Sequence, residues 1–152
     1  MMIDEWLIDE EGFVPYAYPD KFGYLTIGYG TMIDKRKGGG ITKEEGRYLM
    51  VNRLVPVVDG LDAAIPWWRA MNDVRQAVLV LMGYQMGLSG LLKFRRTLAA
   101  MESGDYERAA AGMMASKWAR EDTPERASRA AQAMRTGQYT LTTKGYPDEE
   151  EA

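Results

Sequence analysis

The stretch Asp9-Glu10-Glu11-Gly12-Phe13-Val14-Pro15-Tyr16-Ala17-Tyr18-Pro19-Asp20-Lys21-Phe22-Gly23-Tyr24-Leu25-Thr26-Ile27-Gly28-Tyr29-Gly30-Thr31 decides how the rest of the chain is read. Its first residues finish a helix. Ile3, Trp6, Leu7 and Glu10 follow i, i+3, i+4, i+7 spacing over residues 2–11, and Gly12 suits the C′ position that closes such a helix. Short strands follow. Tyr16–Pro19, Tyr24–Ile27 and roughly Gly30–Ile33 flank turn signals and predict a small antiparallel sheet. The first hairpin brings Asp20 and Thr26 close together.

Glu11, Asp20 and Thr26 are the candidate catalytic residues. Two carboxylates and a hydroxyl are enough to hydrolyse a glycosidic bond: one acid protonates the leaving oxygen, and the other, ionised, activates a water on the opposite face of the sugar. Glu11 lies four residues after Leu7, at the edge of the apolar stripe and at the negative end of the helix dipole. Both placements disfavour the charged carboxylate, which is what a general acid working near neutrality needs. They single out Glu11 from Asp9 and Glu10. Each of the three residues also has a plainer reading. Glu11 could be a solvated surface acid. Asp20 opens Asp20-Lys21-Phe22-Gly23, a type I turn pattern. Thr26 suits a strand. Gly28-Tyr29-Gly30 lacks the setting of a phosphate loop, and reads as a backbone that approaches a sugar or as a tight bend.

Composition removes several other chemistries. The 152 residues are 46% hydrophobic, enough for one compact unit or two small lobes. There is no cysteine and no histidine, which excludes disulfides, thiolate nucleophiles, Ser-His triads and most zinc sites. One Glu, one Asp and one Thr do not make a metal cage, so neither metal nor organic cofactor is expected. No run reaches the ~18 apolar residues of a membrane span, and the acidic start Met1-Met2-Ile3-Asp4-Glu5-Trp6 is unlike a signal peptide. The expectation is a protein made and kept in the cytoplasm, without stable membrane insertion. Residues 1–68 carry net charge −4, residues 69–145 net +5 and residues 146–152 net −4. The basic stretch suits an anionic wall polymer or simply solvated helix faces. No nucleic-acid motif accompanies it, so nucleic acid is not expected as a partner.

Beyond the opening stretch, Lys35-Arg36-Lys37-Gly38-Gly39-Gly40 reads as a flexible basic loop. Thr42-Lys43-Glu44-Glu45 is a capping box starting a long connecting helix, interrupted or kinked at Pro56. From Pro66 the chain reads as all helix. One helix starts at Asn72 or Asp73 and is ended by Gly87, and Phe94–Met101, Asp105–Ser116 and Pro124–Arg135 follow. Thr123 is the N-cap of the last, with Pro124 at N1 and Gly137 past its end. The acidic tail 146–152 is expected to be disordered. The predicted class is α+β, mainly α. An α+β lobe of residues 12–65, including the connecting helix, is followed by a helical lobe of residues 66–140 that also takes in residues 1–11.

The order and spacing of these residues resembles the phage-type lysozymes of glycoside hydrolase family 24. The matches include Glu-Gly, Tyr-x-Asp, Gly-Tyr and Thr-Ile-Gly-x-Gly in the opening run, then Ile41-Thr42-Lys43-Glu44-Glu45. They continue through Asp73-Val74-Arg75, Tyr84-Gln85-Met86-Gly87, Phe94 and Ser116-Lys117-Trp118. They end with Thr123-Pro124-x-Arg126-Ala127-x-Arg129 and Arg135-Thr136-Gly137. Their shared order covers about residues 2–139. The resemblance implies one lysozyme-like domain of two lobes joined by a long helix, with Glu11 as general acid and Asp20 and Thr26 positioning and activating water. It implies that Arg126 pairs with Glu11, and that Met32, Tyr84, Gln85 and Thr97 line a sugar cleft, although core packing reads equally well for Met32 and Thr97. Three departures stand out. Thr31 replaces a histidine of an ion pair whose partner position lies near Arg53. The chain is acidic. Gly112 stands where a substrate-facing asparagine is found.

The implied activity is that of an endolysin, a muramidase cutting the β-1,4 bond between N-acetylmuramic acid and N-acetylglucosamine in bacterial peptidoglycan. A monomer is expected, released to the wall of the host by a separate holin-like membrane protein. Carboxyl groups ~6.5–9.5 Å apart imply inversion and ~5–5.5 Å retention; the resemblance favours inversion. The rivals are a non-catalytic peptidoglycan-binding module on the same fold and a lytic transglycosylase, which needs no water-activating aspartate.

Overall fold

A computed structural model of the chain describes residues 2–140. By internal contacts the chain divides into two compact units, Met1–Val51 and Asn52–Ala152.

The first unit opens with helix α1 (Met2–Glu11). The helix stops where Gly12 takes φ +67° and its N–H bonds Ile8 O at 3.1 Å, a left-handed closure that glycine adopts without strain. No residue of α1 is buried, contrary to the apolar stripe read from spacing. Met2, Ile3, Trp6, Leu7 and Ile8 are all exposed. Strands β1 (Val14–Pro19), β2 (Leu25–Gly28) and β3 (Thr31–Met32) form the expected antiparallel sheet in that order. Tyr18 pairs with Thr26, Pro19 with Leu25 and Thr26 with Met32, and a register shift lies between Val14 and Tyr18.

The basic loop after β3 is ordered around Asp34. Its Oδ1 accepts from the Arg36 backbone N–H at 2.9 Å, and its Oδ2 accepts from Arg36 Nη2 at 2.8 Å and Gly40 N at 3.1 Å. The Arg36 guanidinium and these amides hold the Asp34 carboxyl well below the usual carboxylate range. A Cβ on Gly39 would overlap that carboxylate, so the glycine there makes room for it.

Helix α2 (Lys43–Ala64) begins with the expected capping box. Glu45 N donates to Thr42 Oγ1 at 3.1 Å, and Thr42 N to Glu45 Oε2 at 2.9 Å. The helix runs through Pro56 without ending. The division between the two compact units falls inside α2. Residues 47–53 of the helix are exposed, whereas Leu54, Val57, Val58 and Leu61 are partly or fully buried.

The second unit is helical. After a 3-10 turn, Pro66–Ala70, come α3 (Asp73–Leu92), α4 (Arg95–Glu102), α5 (Tyr106–Met114), a π-helical turn (Trp118–Asp122) and α6 (Pro124–Thr136). Asn72 caps α3 by accepting from Arg75 N. At Gly87 the dihedrals leave the helical region (φ 76°, ψ 161°), where the sequence placed the helix end, but the chain resumes helix to Leu92. Leu61, Leu79, Met82, Leu91, Met101, Met113 and Met134 are fully buried, each worth ~1.5–3 kcal/mol of removal from water. Ala109, Ala110, Ala127, Ala130 and Ala131 pack the closing helices at close range. Two polar ties hold this unit together. Arg75 Nε donates to Met134 O at 2.8 Å with its guanidinium over the Tyr106 ring, and Trp118 Nε1 donates to Gln85 Oε1 at 2.9 Å.

Among the described residues no single helix is long and apolar enough to cross a membrane. The expected disorder of the 146–152 tail lies outside the described residues.

Candidate active site

The turn that joins β1 to β2 carries Asp20. Asp20 N donates to Tyr24 O at 2.8 Å, and Gly23 N to Asp20 O at 3.0 Å. The Asp20 side chain completes the turn: Oδ1 accepts from Phe22 N at 2.8 Å and from Tyr24 N at 3.0 Å, the local bonding that makes aspartate favourable there. The turn-forming reading of Asp20 is therefore correct, and it does not compete with a chemical role. One oxygen is committed to the turn, while Oδ2 accepts no bond from the described residues.

Thr26 sits two residues into β2, 5% exposed. Its Oγ1 donates to Tyr24 O at 3.3 Å, the same carbonyl that accepts from Asp20 N. Thr26 and Asp20 are thus brought together around the backbone of Tyr24. Because the Thr26 hydroxyl proton is committed, its remaining lone pairs can only accept.

Glu11 is the last residue of α1 and is exposed; the burial anticipated at the edge of a stripe is not found. Its carboxylate lies against Gly30, on the turn between β2 and β3. A Cβ placed on Gly30 would overlap Glu11 Oε2 and stand 2.6 Å from Cδ, and Gly30 has φ +69°. Glu11 is therefore held at the end of the sheet that carries Thr26. Beside it the rings of Phe13 and Tyr29 lie with centroids 5.2 Å apart. Of the two readings left open for Gly28-Tyr29-Gly30, the tight bend is the one its dihedrals fit, with φ +69° at both Gly28 and Gly30, and the missing Cβ of Gly30 also makes room for an acid side chain.

Met32 pairs directly with Thr26 across the sheet, so the two side chains share a face. It is 47% exposed and lines a hollow of about 390 Å³ with Ile27, Ile41, Tyr48 and Leu49. In the second unit Tyr84 is 46% exposed. Thr97 follows the core-packing reading, and Gln85 is tied to a neighbouring side chain. Thr97 is 6% exposed, and its Oγ1 fills the space a Cβ on Gly112 would take; the small residue at 112 admits the larger one at 97. Gln85 spends its amide oxygen on Trp118, and its Nε2 is buried without a partner. Thr97 is named by resemblance and Gln85 as a polar residue within an apolar helix; here both side chains make contacts inside the helical unit. Arg126 is exposed on the wall of a cavity of about 530 Å³ between α3 and α6, with Asp73, Val78, Leu81, Arg129 and Tyr139. That cavity contains none of Glu11, Asp20 and Thr26.

Among the described residues no group of three or more acidic side chains could hold a metal ion. Sequence reasoning passed over Tyr24, because its contribution is made by its backbone and leaves no side-chain signal.

A mainly helical α+β chain with a small three-stranded sheet, a Glu closing the helix before it, an Asp on its first turn and a Thr in its second strand has a defined place among known proteins. The model of the phage lysozyme family matches residues 8–135, and the chain belongs to that family. Its relatives include the pre-baseplate central spike protein Gp5 of Enterobacteria phage T4, 32% identical over 162 residues that span 90% of this chain and 28% of that protein. They also include the probable T4-type lysozyme 1 of Dictyostelium discoideum, 24% identical over 161 residues, 89% of this chain and 94% of that one. The chain therefore spans under a third of the first relative and nearly all of the second.

Proposed function

We propose that the chain is a muramidase that hydrolyses the β-1,4 bond between N-acetylmuramic acid and N-acetylglucosamine in peptidoglycan. The observation that carries this reading is the convergence of Asp20 and Thr26 on the Tyr24 backbone, with Glu11 seated against Gly30 of the same sheet. Glu11 donates a proton to the leaving glycosidic oxygen. Asp20 Oδ2, the uncommitted oxygen, takes a proton from a water whose orientation Thr26 fixes. The water attacks the anomeric carbon from the face opposite the leaving group, a single displacement with inversion. Membership of the phage lysozyme family supports glycosidase chemistry.

Met32 and Tyr84, both half exposed, are the proposed glycan contacts. The pairing of Arg126 with Glu11 comes to this reading from the resemblance alone. Lysis of the host cell by a monomeric enzyme, held in the cytoplasm until a holin-like protein opens the membrane and releases it to the wall, completes the proposal.

Product analysis on purified peptidoglycan tests the chemistry. New reducing ends, formed first as the α-anomer in proton NMR, are expected. Anhydro-muramic ends would make the enzyme a transglycosylase, and binding without new ends would make it a wall-binding module. The 32% identity to a spike protein favours a second biological setting for the same chemistry, as part of a particle's spike. Disrupting the gene separates the two: delayed lysis supports the endolysin, and lost infectivity with normal lysis supports the spike.

A further inference from the structure

The loop Lys35-Arg36-Lys37-Gly38-Gly39-Gly40 has no part in the chemistry above, yet it is built to reach the Asp20 turn. Asp34 gathers the Arg36 side chain and the amides of Arg36 and Gly40, and Gly39 N closes the loop onto Arg36 O at 3.1 Å. The strand before it is tied to β2 by Ile33 N to Leu25 O at 2.8 Å. The loop thus has a fixed root one residue from Tyr24.

From that root Lys37 extends over the turn. Its ammonium stands 5.5 Å from the centroid of the Tyr24 ring, within cation–π range. A Cβ on Gly23 would lie 3.6 Å from its Cε, 3.7 Å from its Nζ and 3.8 Å from its Cδ, so the alkyl stem covers the glycine, which has φ +86°. Tyr24 is the residue whose N–H holds Asp20 Oδ1 and whose carbonyl holds both Asp20 N and Thr26 Oγ1. A contact that fixes Tyr24 fixes both.

We propose that Lys37 is a positioning residue for Asp20 and Thr26, delivered onto the turn by the loop that Asp34 organises. The loop, basic and glycine-rich in sequence, acts as a clamp. The consequence for catalysis rests on the muramidase reading; the consequence for the turn does not.

Lys37→Met keeps the stem and removes the charge, and Lys37→Arg restores a cation. Two readouts are taken on each. The first is hydrogen exchange of the Phe22 and Tyr24 amides, which bond Asp20 Oδ1. Exchange is expected to rise roughly two- to fivefold in Lys37→Met, the factor an exposed cation–π contact supports, and to return towards wild type in Lys37→Arg. The second is kinetics on soluble glycan fragments, where kcat is expected to fall by a similar factor with KM within about twofold, since misplacing a reacting group is felt at the chemical step. Unchanged amide exchange in Lys37→Met overturns the proposal. So does a rise in KM with kcat and exchange intact, which would make Lys37 a substrate contact. If the wild type cleaves nothing, the muramidase reading fails and the exchange result alone decides the role of Lys37.

Discussion

Gly30 shows how much of this site is made by an atom that is missing. Its lack of a Cβ leaves room for the Glu11 carboxylate, and its φ of +69° is one that L side chains rarely adopt. Gly30→Ala is predicted to displace Glu11 and lower the rate of peptidoglycan cleavage at least ~10-fold, because reacting groups must be held to within a fraction of an ångström. The same change should cost about 1 kcal/mol of stability from backbone strain. Cleavage rates and urea unfolding of the pair measure the two effects separately, and a variant that is destabilised but fully active would refute the first. Asp62 makes a prediction of another kind. Its carboxylate accepts from the Arg69 guanidinium at 2.8 and 2.9 Å and from Trp68 Nε1 at 2.8 Å, and its pKa is lowered from 3.8 to about 2, first by Arg69 and then by Trp68. A depressed carboxylate stabilises the fold above its unfolded value and loses that contribution as pH falls through its folded value. The stability difference between wild type and Asp62→Asn should hold steady above about pH 4 and vanish towards pH 2, with modest size because the group is solvated. Urea titrations across that range read it directly. At this scale the sequence was most legible at the turn: Asp20 opens a turn pattern in Asp20-Lys21-Phe22-Gly23, and its side chain completes that turn. Tyr24 bonds through its backbone, which residue type does not reveal, whereas Gly30 belongs to a Gly-x-Gly stretch that residue type does mark as a bend.

Two threonines at helix starts look alike in sequence and behave differently in the fold. Thr42 accepts from Glu45 N and belongs to a closed capping box. Thr123 precedes α6 but makes no side-chain cap, and its Oγ1 is buried without a partner. Thr42→Ala is therefore predicted to cost ~1 kcal/mol. Thr123→Val, which keeps the shape and removes an unsatisfied hydroxyl, should be neutral or stabilising. Thermal unfolding of both variants checks the contrast, and a loss of comparable size at both positions would contradict it. Helix starts and stops were readable from local punctuation, as Asn72, Thr42, Pro124 and Gly137 show, because capping is settled within a few residues. The π-helical turn at Trp118–Asp122 was not. It depends on Ser116 Oγ accepting from Ala119 N and on Trp118 reaching Gln85, 33 residues away in sequence, and no local pattern announces a bond of that span.

At the scale of the molecule, the chemistry and the core are assigned to different parts of the chain. The residues that converge as a candidate catalytic set belong to Met1–Val51, and almost all fully buried side chains belong to Asn52–Ala152. With no histidine and no cysteine, carboxylates are the leading candidates for proton transfer, and the first unit carries Glu11 at the end of α1, Asp20 on the β1–β2 turn and Thr26 in β2. The central claim is that these carboxylates hydrolyse peptidoglycan. The most direct test is clearing of purified peptidoglycan by wild type, Glu11→Gln and Asp20→Asn, each shown to be folded by circular dichroism and thermal melting. The account predicts clearing with new reducing ends by the wild type, and loss of at least ~100-fold in each variant, the scale on which a positioned acid or base contributes. Clearing by the variants at the wild-type rate, or wall binding without clearing by any of the three, would contradict it.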